Sequence, residues 1–353
     1  MTDMLQKAAK IADEVLLPAA SEVDRYGRIP GSHFDRLAED GFYGLVAPPE
    51  FGGLGVEFPD FLELVEILAS ACLTTTFTWL QHHGVVMGLA MTPNSALRAQ
   101  YLGRAASGEL RGGSAFSGAI PVPPHVRATR SGEGWTINGQ VPFVSGWGLV
   151  DVLHVSALDE QCGDVVSGLI EAKPGDGIAA VHPLSLVAAQ ASNTVRLEFR
   201  DLHLPDEMVT TRANRDEYIA GLARGSRVDG SLALGLLRRA VALLESAGQL
   251  AIAEAVRARA AQVRTKFDAA MAFPADLPVT RAACSELAQQ ACTAYLVAVG
   301  GAGLVSTHDA QRLTRESLFT LVVAGRPDVR TALLGLLERR ARCGDHAVAG
   351  GFA

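Results

Sequence analysis

Apolar residues recur at helical spacing over the first third of the chain. The first such run comprises Leu5, Ala8, Ile11, Val15 and Leu16. Pro18 is expected near a break in this helix, because proline removes a backbone donor and crowds the preceding turn. Further helices are predicted over 34–40, 61–71 and 77–90. The last two are strongly apolar and are therefore expected to form the core of an N-terminal α-helical domain, residues 1–111.

From Gly112 onward the apolar period shortens to two, which is typical of strands. Candidate strands cover 114–117, 125–129, 135–137, 140–145, 151–157, 165–170 and 194–201. Asn138-Gly139 predicts a two-residue hairpin turn, because both residue types tolerate a positive φ. The strand after it is expected to place Phe143 and Ser145 on one face, since strand side chains alternate. The pattern predicts a central antiparallel β domain over residues 112–215.

Helical spacing returns after this region and continues to the end of the chain. Four helical segments are predicted, at 217–246, 250–272, 278–299 and 307–341. The predicted fold class is therefore α+β multidomain, with a C-terminal four-helix bundle over residues 216–353.

Composition narrows the function classes. The 353 residues are 48% apolar and 20% charged, and the formal net charge is -7. A nucleic-acid groove would need a basic surface, so nucleic acid is not an expected partner. The five cysteines are Cys72, Cys162, Cys284, Cys292 and Cys343. Their scattered spacing predicts no metal site. No apolar segment reaches membrane-spanning length, so with these cysteines the sequence predicts a soluble cytoplasmic protein.

Four motifs in the right order resemble those of the acyl-CoA dehydrogenase superfamily. The first is Pro48-Pro49-Glu50-Phe51-Gly52-Gly53-Leu54-Gly55, and the second runs from Trp135-Thr136-Ile137-Asn138-Gly139 to Ser145-Gly146. The third is Phe199 through Pro205, and the fourth is Gly300-Gly301-Ala302-Gly303 followed by Arg315-Glu316. The resemblance covers essentially the whole chain and implies the helix–sheet–helix fold of that family.

The resemblance also implies an FAD site at the junction of the β domain and the C-terminal helices. Phe143 corresponds to the aromatic against the flavin and Ser145 to the hydroxyl near its ring atoms. Phe116 and Ser117 fall in a stretch beside the ring, and the Gly300-Gly301 pair also belongs to the cofactor site. From the residues alone, Phe143 could equally be a core aromatic and Ser145 a turn serine.

Several positions depart from the family pattern. The glycine-rich loop after the first strand is replaced by 118–124, which contains three prolines. The segment 244–249 has no arginine for the FAD pyrophosphate, and Val297 stands where the family has a glutamine. These losses imply that FAD is bound weakly or not at all.

The resemblance places the catalytic glutamate of the dehydrogenases at Ala324, which cannot accept a proton. Some members carry this base on the first bundle helix instead. The matching region here, 222–230, offers Asp229 as a displaced base. The alternative for Asp229 is a structural role, as a solvated or helix-start residue or in a pair with Arg227.

Three functions follow as hypotheses. The first is an FAD-dependent oxidoreductase on an acyl thioester, with its base displaced or lost. The second is a flavin-dependent monooxygenase on a small hydrophobic substrate, in which His82 or His83 would handle protons; the alternative is that both histidines are packed residues. The third is a non-catalytic paralogue that serves as a partner subunit or binds a ligand. The family resemblance further implies a homodimer or homotetramer.

Overall fold

A computed structural model describes residues 2–324 and 326–348 of the chain. They form two compact units, one ending at Gly221 and the other beginning at Leu222. The first unit contains helices followed by a mostly antiparallel sheet, and the second contains helices. This order confirms the predicted fold class.

Seven α-helices belong to the described part of the first unit. They are α1 (Thr2–Ile11), α2 (Leu17–Tyr26), α3 (Gly31–Glu39), α4 (Phe58–Ala71), α5 (Leu73–Met91), α6 (Ser95–Ser107) and α7 (Arg215–Gly221). Helix α5 is buried on almost every side, as expected for a helix that is apolar all round. It packs against the first strand of the sheet and against α4 and α6.

The break expected at Pro18 does not occur. A π-helical turn, Ala12–Leu16, joins α1 to α2 in one continuous helix, and Pro18 lies in the first turn of α2. Proline has no backbone N–H to donate. The π-helical turn before it leaves no backbone acceptor that requires this donor, so the helix continues.

Eight strands form one sheet. They are β1 (Gly112–Ala115), β2 (Val126–Ser131), β3 (Gly134–Val144), β4 (Val152–Asp159), β5 (Val165–Glu171), β6 (Ile178–Pro183), β7 (Val195–Pro205) and β8 (Val209–Ala213). The order across the sheet is β6-β7-β3-β2-β4-β5-β8, with β1 parallel to β4. The pairing of β2 with β4 is also parallel, and the remaining pairs are antiparallel.

The predicted hairpin at Asn138-Gly139 is wrong. Both residues lie inside β3, which runs unbroken from Gly134 to Val144. The turn that joins β2 to β3 is at Gly132, whose φ is +57°. Gly139 also has a positive φ, +127°, but it lies at an irregularity in the sheet. Such an irregularity requires the same backbone conformations as a turn.

The first irregularity in the β3–β7 pair lies beside this glycine. Ile137 pairs with Leu202 and Gly139 with Phe199, so β7 contributes one residue more than β3 here. The backbone of β2 approaches closely at this point. A Cβ atom on Gly139 would lie 2.0 Å from the carbonyl oxygen of His125.

The second irregularity lies near the end of β3 and has the opposite sense. Val141 pairs with Leu197 and Val144 with Val195, so β3 now contributes the additional residue. Both Val141 and Val144 are fully buried although they are three residues apart. The bulge therefore turns Phe143, which lies between them, to the exposed side.

Five helices form the described part of the second unit. They are α8 (Ala223–Ser246), α9 (Leu250–Ala269), α10 (Leu277–Val299), α11 (Asp309–Val322) and α12 (Pro327–Val348). The segment predicted as one helix over 307–341 is thus two helices, because Pro327 begins a new helix and cannot continue the previous one. Helix α10 packs against each of the other four.

Candidate functional site

The end of β3 presents an aromatic ring to the surface. Phe143 is 60% exposed, whereas the adjacent Val144 is fully buried in the sheet core. Ser145 follows the strand and is only 6% exposed. The two residues therefore do not share a face as the alternation predicted. The bulge before Val144 and the end of the strand after it give an exposed ring beside a buried hydroxyl.

The hydroxyl of Ser145 belongs to a chain of three. Its Oγ lies 2.8 Å from Thr194 Oγ1, which lies 2.7 Å from Ser192 Oγ. The backbone supports this contact, since the N–H of Gly146 donates to the carbonyl oxygen of Ser192 at 2.7 Å. Sequence reasoning did not find Thr194 or Ser192, because nothing in the local pattern links them to a residue about 50 positions earlier.

Ser117 supplies a second hydroxyl in the first unit. It follows β1 in a short 3-10 turn, Ser117–Ala119, rather than in the strand itself. Its Oγ atom is buried and has no hydrogen-bond partner within the described residues. A buried hydroxyl without a partner is costly unless a ligand or water completes it, so Ser117 fits the place beside a hydrogen-bonding ring. Phe116, next to it, is half-buried.

The proline-containing loop that follows is anchored rather than open. Gly118 packs so closely on β2 that an added Cβ atom would lie 2.3 Å from Val126 Cγ2. The carbonyl oxygen of Ile120 accepts a hydrogen bond from Arg215 Nη2 at 2.7 Å. Val122, in the middle of the loop, is 82% exposed. The loop therefore has fixed ends and an exposed apolar tip.

His82 lies in the core of the first unit with both ring nitrogens engaged. The N–H of Gly112 donates to Nδ1 at 3.0 Å, so Nε2 carries the proton and donates to the carbonyl oxygen of Ala105 at 3.1 Å. Burial lowers the pKa of His82 to about 4. The imidazole is neutral at pH 7 and joins α5 to β1 and α6. This geometry favours a packing role, and the catalytic role remains a prediction.

His83 is buried among aromatic rings. Its ring centroid lies 4.5 Å from that of Trp79 and 5.0 Å from that of Phe61. Neither ring nitrogen has a hydrogen bond of normal geometry within the described residues. Burial, with a smaller effect of His82, lowers the pKa of His83 well below its usual value. These contacts also favour packing over proton transfer.

Asp229, on α8 in the second unit, is paired with a buried arginine. Its Oδ2 lies 3.4 Å from Arg281 Nη1, and the aspartate side chain is 18% exposed whereas that of Arg281 is 1% exposed. Arg227, the partner considered for Asp229 among the structural alternatives, donates from Nε to Asp268 Oδ1 at 2.8 Å. Burial raises the pKa of Asp229, and Arg281 and Arg326 oppose that rise.

Arg281 brings three helices together from its place on α10. Its guanidinium donates to the carbonyl oxygens of Ser226 on α8 and Thr320 on α11, at 3.4 and 3.3 Å. Ser285 Oγ donates to the same Thr320 carbonyl at 2.9 Å. Two buried atoms near this centre, Arg281 Nε and Ser226 Oγ, have no hydrogen-bond partner within the described residues. Sequence reasoning missed Arg281, whose contacts are 39 to 55 residues away.

Ala324 follows α11 with a φ of +68°, a value that L-residues other than glycine rarely adopt. Gly325, the next residue, lies outside the described part of the chain. Ala324 stands four residues after Thr320, whose carbonyl Arg281 binds. Arg281 thus links Asp229 on α8 to the last turn of α11, which precedes Ala324.

Gly300 and Gly301 lie in the second unit after α10. Gly300 ends that helix with a φ of +67°, and a 3-10 turn, Gly300–Leu304, follows it. An added Cβ atom at either glycine would meet no atom within 4 Å. The space beside them is compatible with the predicted cofactor role, which remains a prediction.

Within residues 2–324 and 326–348, no helix is long and apolar enough to cross a membrane. The same residues contain no cluster of three or more histidine, cysteine or acidic side chains that could hold a metal ion.

Comparison with known proteins gives a consistent answer. Residues 2–109 match the family of acyl-CoA dehydrogenase N-terminal domains. Cyclohex-1-ene-1-carbonyl-CoA dehydrogenase of Syntrophus aciditrophicus is 21% identical over 94% of this chain and 88% of its own length. The structure of butyryl-CoA dehydrogenase from Megasphaera elsdenii superposes with a TM-score of 0.79 at 20% identity, over 95% of this chain and 97% of that one. Residues 2–109 thus match this family, and the chain as a whole has the acyl-CoA dehydrogenase fold.

A further similar protein has a different reaction in its name. The 3-sulfinopropanoyl-CoA desulfinase of Paraburkholderia xenovorans is 25% identical over 71% of this chain and 66% of its own length. At family level, the comparisons support a flavin-dependent oxidoreductase for acyl-CoA. Members of the superfamily bind FAD, act on acyl-CoA thioesters and usually form oligomers.

Proposed function

We propose that this chain is a flavin-dependent oxidoreductase of an acyl thioester in which Asp229 replaces the glutamate missing at Ala324. The observation that carries the proposal is the contact of Asp229 with Arg281, which also binds the carbonyl of Thr320, four residues before Ala324. The carboxylate on α8 therefore shares its cationic neighbour with the last turn of α11, which ends at Val322, two residues before Ala324.

The environment of Asp229 suits a general base. A catalytic base works best when its pKa lies near the working pH, and burial raises the pKa of Asp229 from the usual aspartate range. The side chain keeps 18% of its surface exposed, so it is not fully enclosed by the protein. Arg281 stabilises the ionised form, which is the form that accepts the α-proton of the acyl group.

The residues of the first unit fit the flavin ring better than the rest of the dinucleotide. An exposed aromatic at Phe143, the hydroxyl of Ser145 and the unpartnered hydroxyl of Ser117 are suited to a planar ring with hydrogen-bonding atoms. When bound, FAD supplies the acceptor for the hydride that leaves the β-carbon. On the phosphate side, Glu245 lies in the segment that should be basic and is itself paired with Arg257.

An acyl-CoA substrate is common to the names of the relatives, whereas the reaction is not. One similar protein is a dehydrogenase of an acyl-CoA and another is a desulfinase of one. We therefore assign the substrate class as acyl thioester, with chain length open to experiment. Exposed leucines on α12, Leu334 and Leu337, support association with a second copy or with a paralogous subunit.

A non-catalytic subunit is the second candidate function, favoured by one observation. Ala324, at the position where the resemblance places the base, has no group that could accept a proton. For the monooxygenase alternative, the proposed proton carriers His82 and His83 are both buried, and burial lowers the pKa of each.

Anaerobic flavin bleaching tests the proposal. The purified protein, reconstituted with FAD, is mixed with butyryl-CoA or isovaleryl-CoA, and the flavin absorption is followed with time. We expect bleaching by wild type, a loss of roughly 100-fold or more in rate for Asp229→Asn, and a gain for Ala324→Glu. Asp268→Asn is the matched control, because Asp268 also pairs with a buried arginine but lies outside this cluster.

The other outcomes separate the alternatives. Retained FAD with equal bleaching by wild type and Asp229→Asn would remove Asp229 as the base. A colourless protein that neither binds FAD nor responds to acyl-CoA would support the non-catalytic subunit. Oxygen uptake with reduced flavin, without bleaching by acyl-CoA, would support the monooxygenase.

A further inference from the structure

Three buried hydroxyls form a continuous chain, and one end of it, Ser145, stands two residues after the exposed Phe143. Ser192 Oγ, Thr194 Oγ1 and Ser145 Oγ are linked at 2.7 and 2.8 Å, which is the usual length of an O–H···O hydrogen bond. The backbone bond from Gly146 to Ser192 holds the two ends of the chain at this spacing.

The number of protons limits what this chain can do. Each hydroxyl has one proton to donate, so three hydroxyls have three protons for two links. One proton is therefore left over and must point away from the chain. Within the described residues, no other hydrogen bond is formed by any of the three hydroxyls.

Burial selects the end at which that proton emerges. A head-to-tail arrangement is favoured, because successive hydrogen bonds in one direction polarise each other. Ser192 is completely buried, so a chain that ended there would leave an unsatisfied proton in the core. Ser145, with 6% exposure, lies at the other end and next to the open strand end at Phe143. Every buried group is satisfied when the Ser192 hydroxyl donates to Thr194 and the Thr194 hydroxyl donates to Ser145.

We propose that Thr194 and Ser192 are positioning residues that direct the Ser145 hydroxyl proton outward, as a hydrogen-bond donor to an acceptor atom of the flavin ring. This inference rests on the proposed function, since it needs FAD in the site. The Thr194 hydroxyl donates its proton to Ser145 Oγ, which acts as the acceptor in that hydrogen bond. Ser145 is then left with its proton for the ligand, and its orientation is set before the ligand arrives.

Four variants test this arrangement through FAD affinity. Thr194→Val removes the hydroxyl at nearly constant shape, Thr194→Ser keeps it, Ser145→Ala removes the donor, and Ser192→Ala allows the chain to reverse. Titration of the apoprotein with FAD gives the dissociation constant, and the absorption spectrum of bound flavin reports the hydrogen bond. We expect Ser145→Ala and Thr194→Val each to weaken binding roughly three- to tenfold, with the same spectral change.

The double variant and the rescue decide the interpretation. Thr194→Val combined with Ser145→Ala should bind FAD no more weakly than Ser145→Ala alone, Thr194→Ser should match wild type, and Ser192→Ala should lie between. Multiplicative losses in the double variant, or no rescue by Thr194→Ser, would overturn the positioning role. Thermal unfolding of each apoprotein shows whether a variant has lost its fold. If Thr194→Val or Ser145→Ala has lost it, the FAD affinities of Ser192→Ala and Thr194→Ser decide whether the positioning role holds. A wild type without FAD affinity would overturn the proposed function together with this inference.

Discussion

The side chain of Asn138 bridges β3 to the bulge of β7 through Asp201. Its Oδ1 accepts a hydrogen bond from the backbone N–H of Asp201 at 2.8 Å, and its Nδ2 donates to Asp201 Oδ1 at 3.3 Å. Asp201 has a φ of +50°, a backbone shape that pairs poorly within a regular sheet. The asparagine thus satisfies a backbone donor that the bulge leaves without its normal partner.

Asn138→Ala should reduce the free energy of unfolding by about 1 kcal/mol, because it removes this hydrogen bond at a partly solvated site. Urea denaturation monitored by circular dichroism measures the change. Gln140→Ala is the matched control, since Gln140 is an exposed residue of the same strand, and it should change stability by less than about 0.5 kcal/mol. Equal effects of the two substitutions would contradict the bridging role.

Gly139→Ala should destabilise the first unit by about 3 kcal/mol or more, because the new Cβ atom would lie 2.0 Å from a carbonyl oxygen. Gly132→Ala offers a comparison. Gly132 also has a positive φ, but no atom lies within 4 Å of its added Cβ, so only about 1 kcal/mol of backbone strain is expected. Differential scanning calorimetry of both variants checks the difference, and a similar loss in each would disprove the steric explanation.

Ala324→Gly should stabilise the second unit by about 0.5 to 1 kcal/mol, since glycine adopts a φ of +68° without the strain that alanine bears. The same substitution at Ala255, an exposed position inside α9, should lower stability by about 1 kcal/mol. Chemical denaturation distinguishes the two signs. A loss of stability on Ala324→Gly would show that the alanine methyl group contributes packing that outweighs the strain.

Asp229→Asn should leave stability at pH 7 unchanged or raise it. Burial raises the pKa of Asp229, so the native state favours the protonated acid, which asparagine resembles. The favourable contribution of Asp229 is therefore complete below its usual pKa of 3.8 and is lost as the pH rises through its native pKa. The difference between the variant and wild type should vanish at the acid end of this window.

Urea denaturation at several pH values from roughly 3.5 to 8, which spans this window, measures that difference. If the ion pair with Arg281 were the dominant effect, Asp229→Asn would instead lose about 3 kcal/mol or more. A carboxylate kept at a cost to stability is typical of a functional residue.

Acid should weaken the first unit through His82. Its native pKa is about 4, against 6.5 for an ordinary histidine, so the unfolded chain binds a proton where the native state does not. The stabilisation is therefore present above pH 6.5 and lost as the pH falls towards 4, by on the order of 3 kcal/mol. His82→Gln should be less stable than wild type at pH 7 and should show a flatter pH dependence. His203→Gln, at an exposed site, should keep the wild-type slope.

The sequence predicted helices and strands best where the element is buried on one side or completely. Helix α5 and strand β5 are buried along most of their length, and they overlap the predicted segments 77–90 and 165–170. Strands β6 and β8 were missed, because both are short and mostly only half-buried, so their apolar pattern is weak. Asn138-Gly139 was misassigned because a bulge and a hairpin turn need the same backbone conformations.

The parts of the candidate site that sequence reasoning missed depend on long-range contacts. Phe143 and Ser145 were found by motif, but the hydroxyls that orient Ser145 come from a turn next to a different strand. Likewise, Asp229 was found as the carboxylate nearest the expected place, whereas Arg281 becomes its neighbour only when α10 packs on α8. Local periodicity carries no information about such pairs.

The two bulges in the β3–β7 pair have opposite senses, and the alignment lost at the first is regained at the second. Between the two bulges, the pairing of β3 with β7 is shifted by one residue relative to the pairing on either side. Deletion of the extra residue at either bulge would leave one intervening residue on each strand, so the pairs on both sides of that bulge would be kept. The strand pair should therefore tolerate the loss of one residue at either bulge, whereas a deletion at a regularly paired position would shift the register of the residues beyond it.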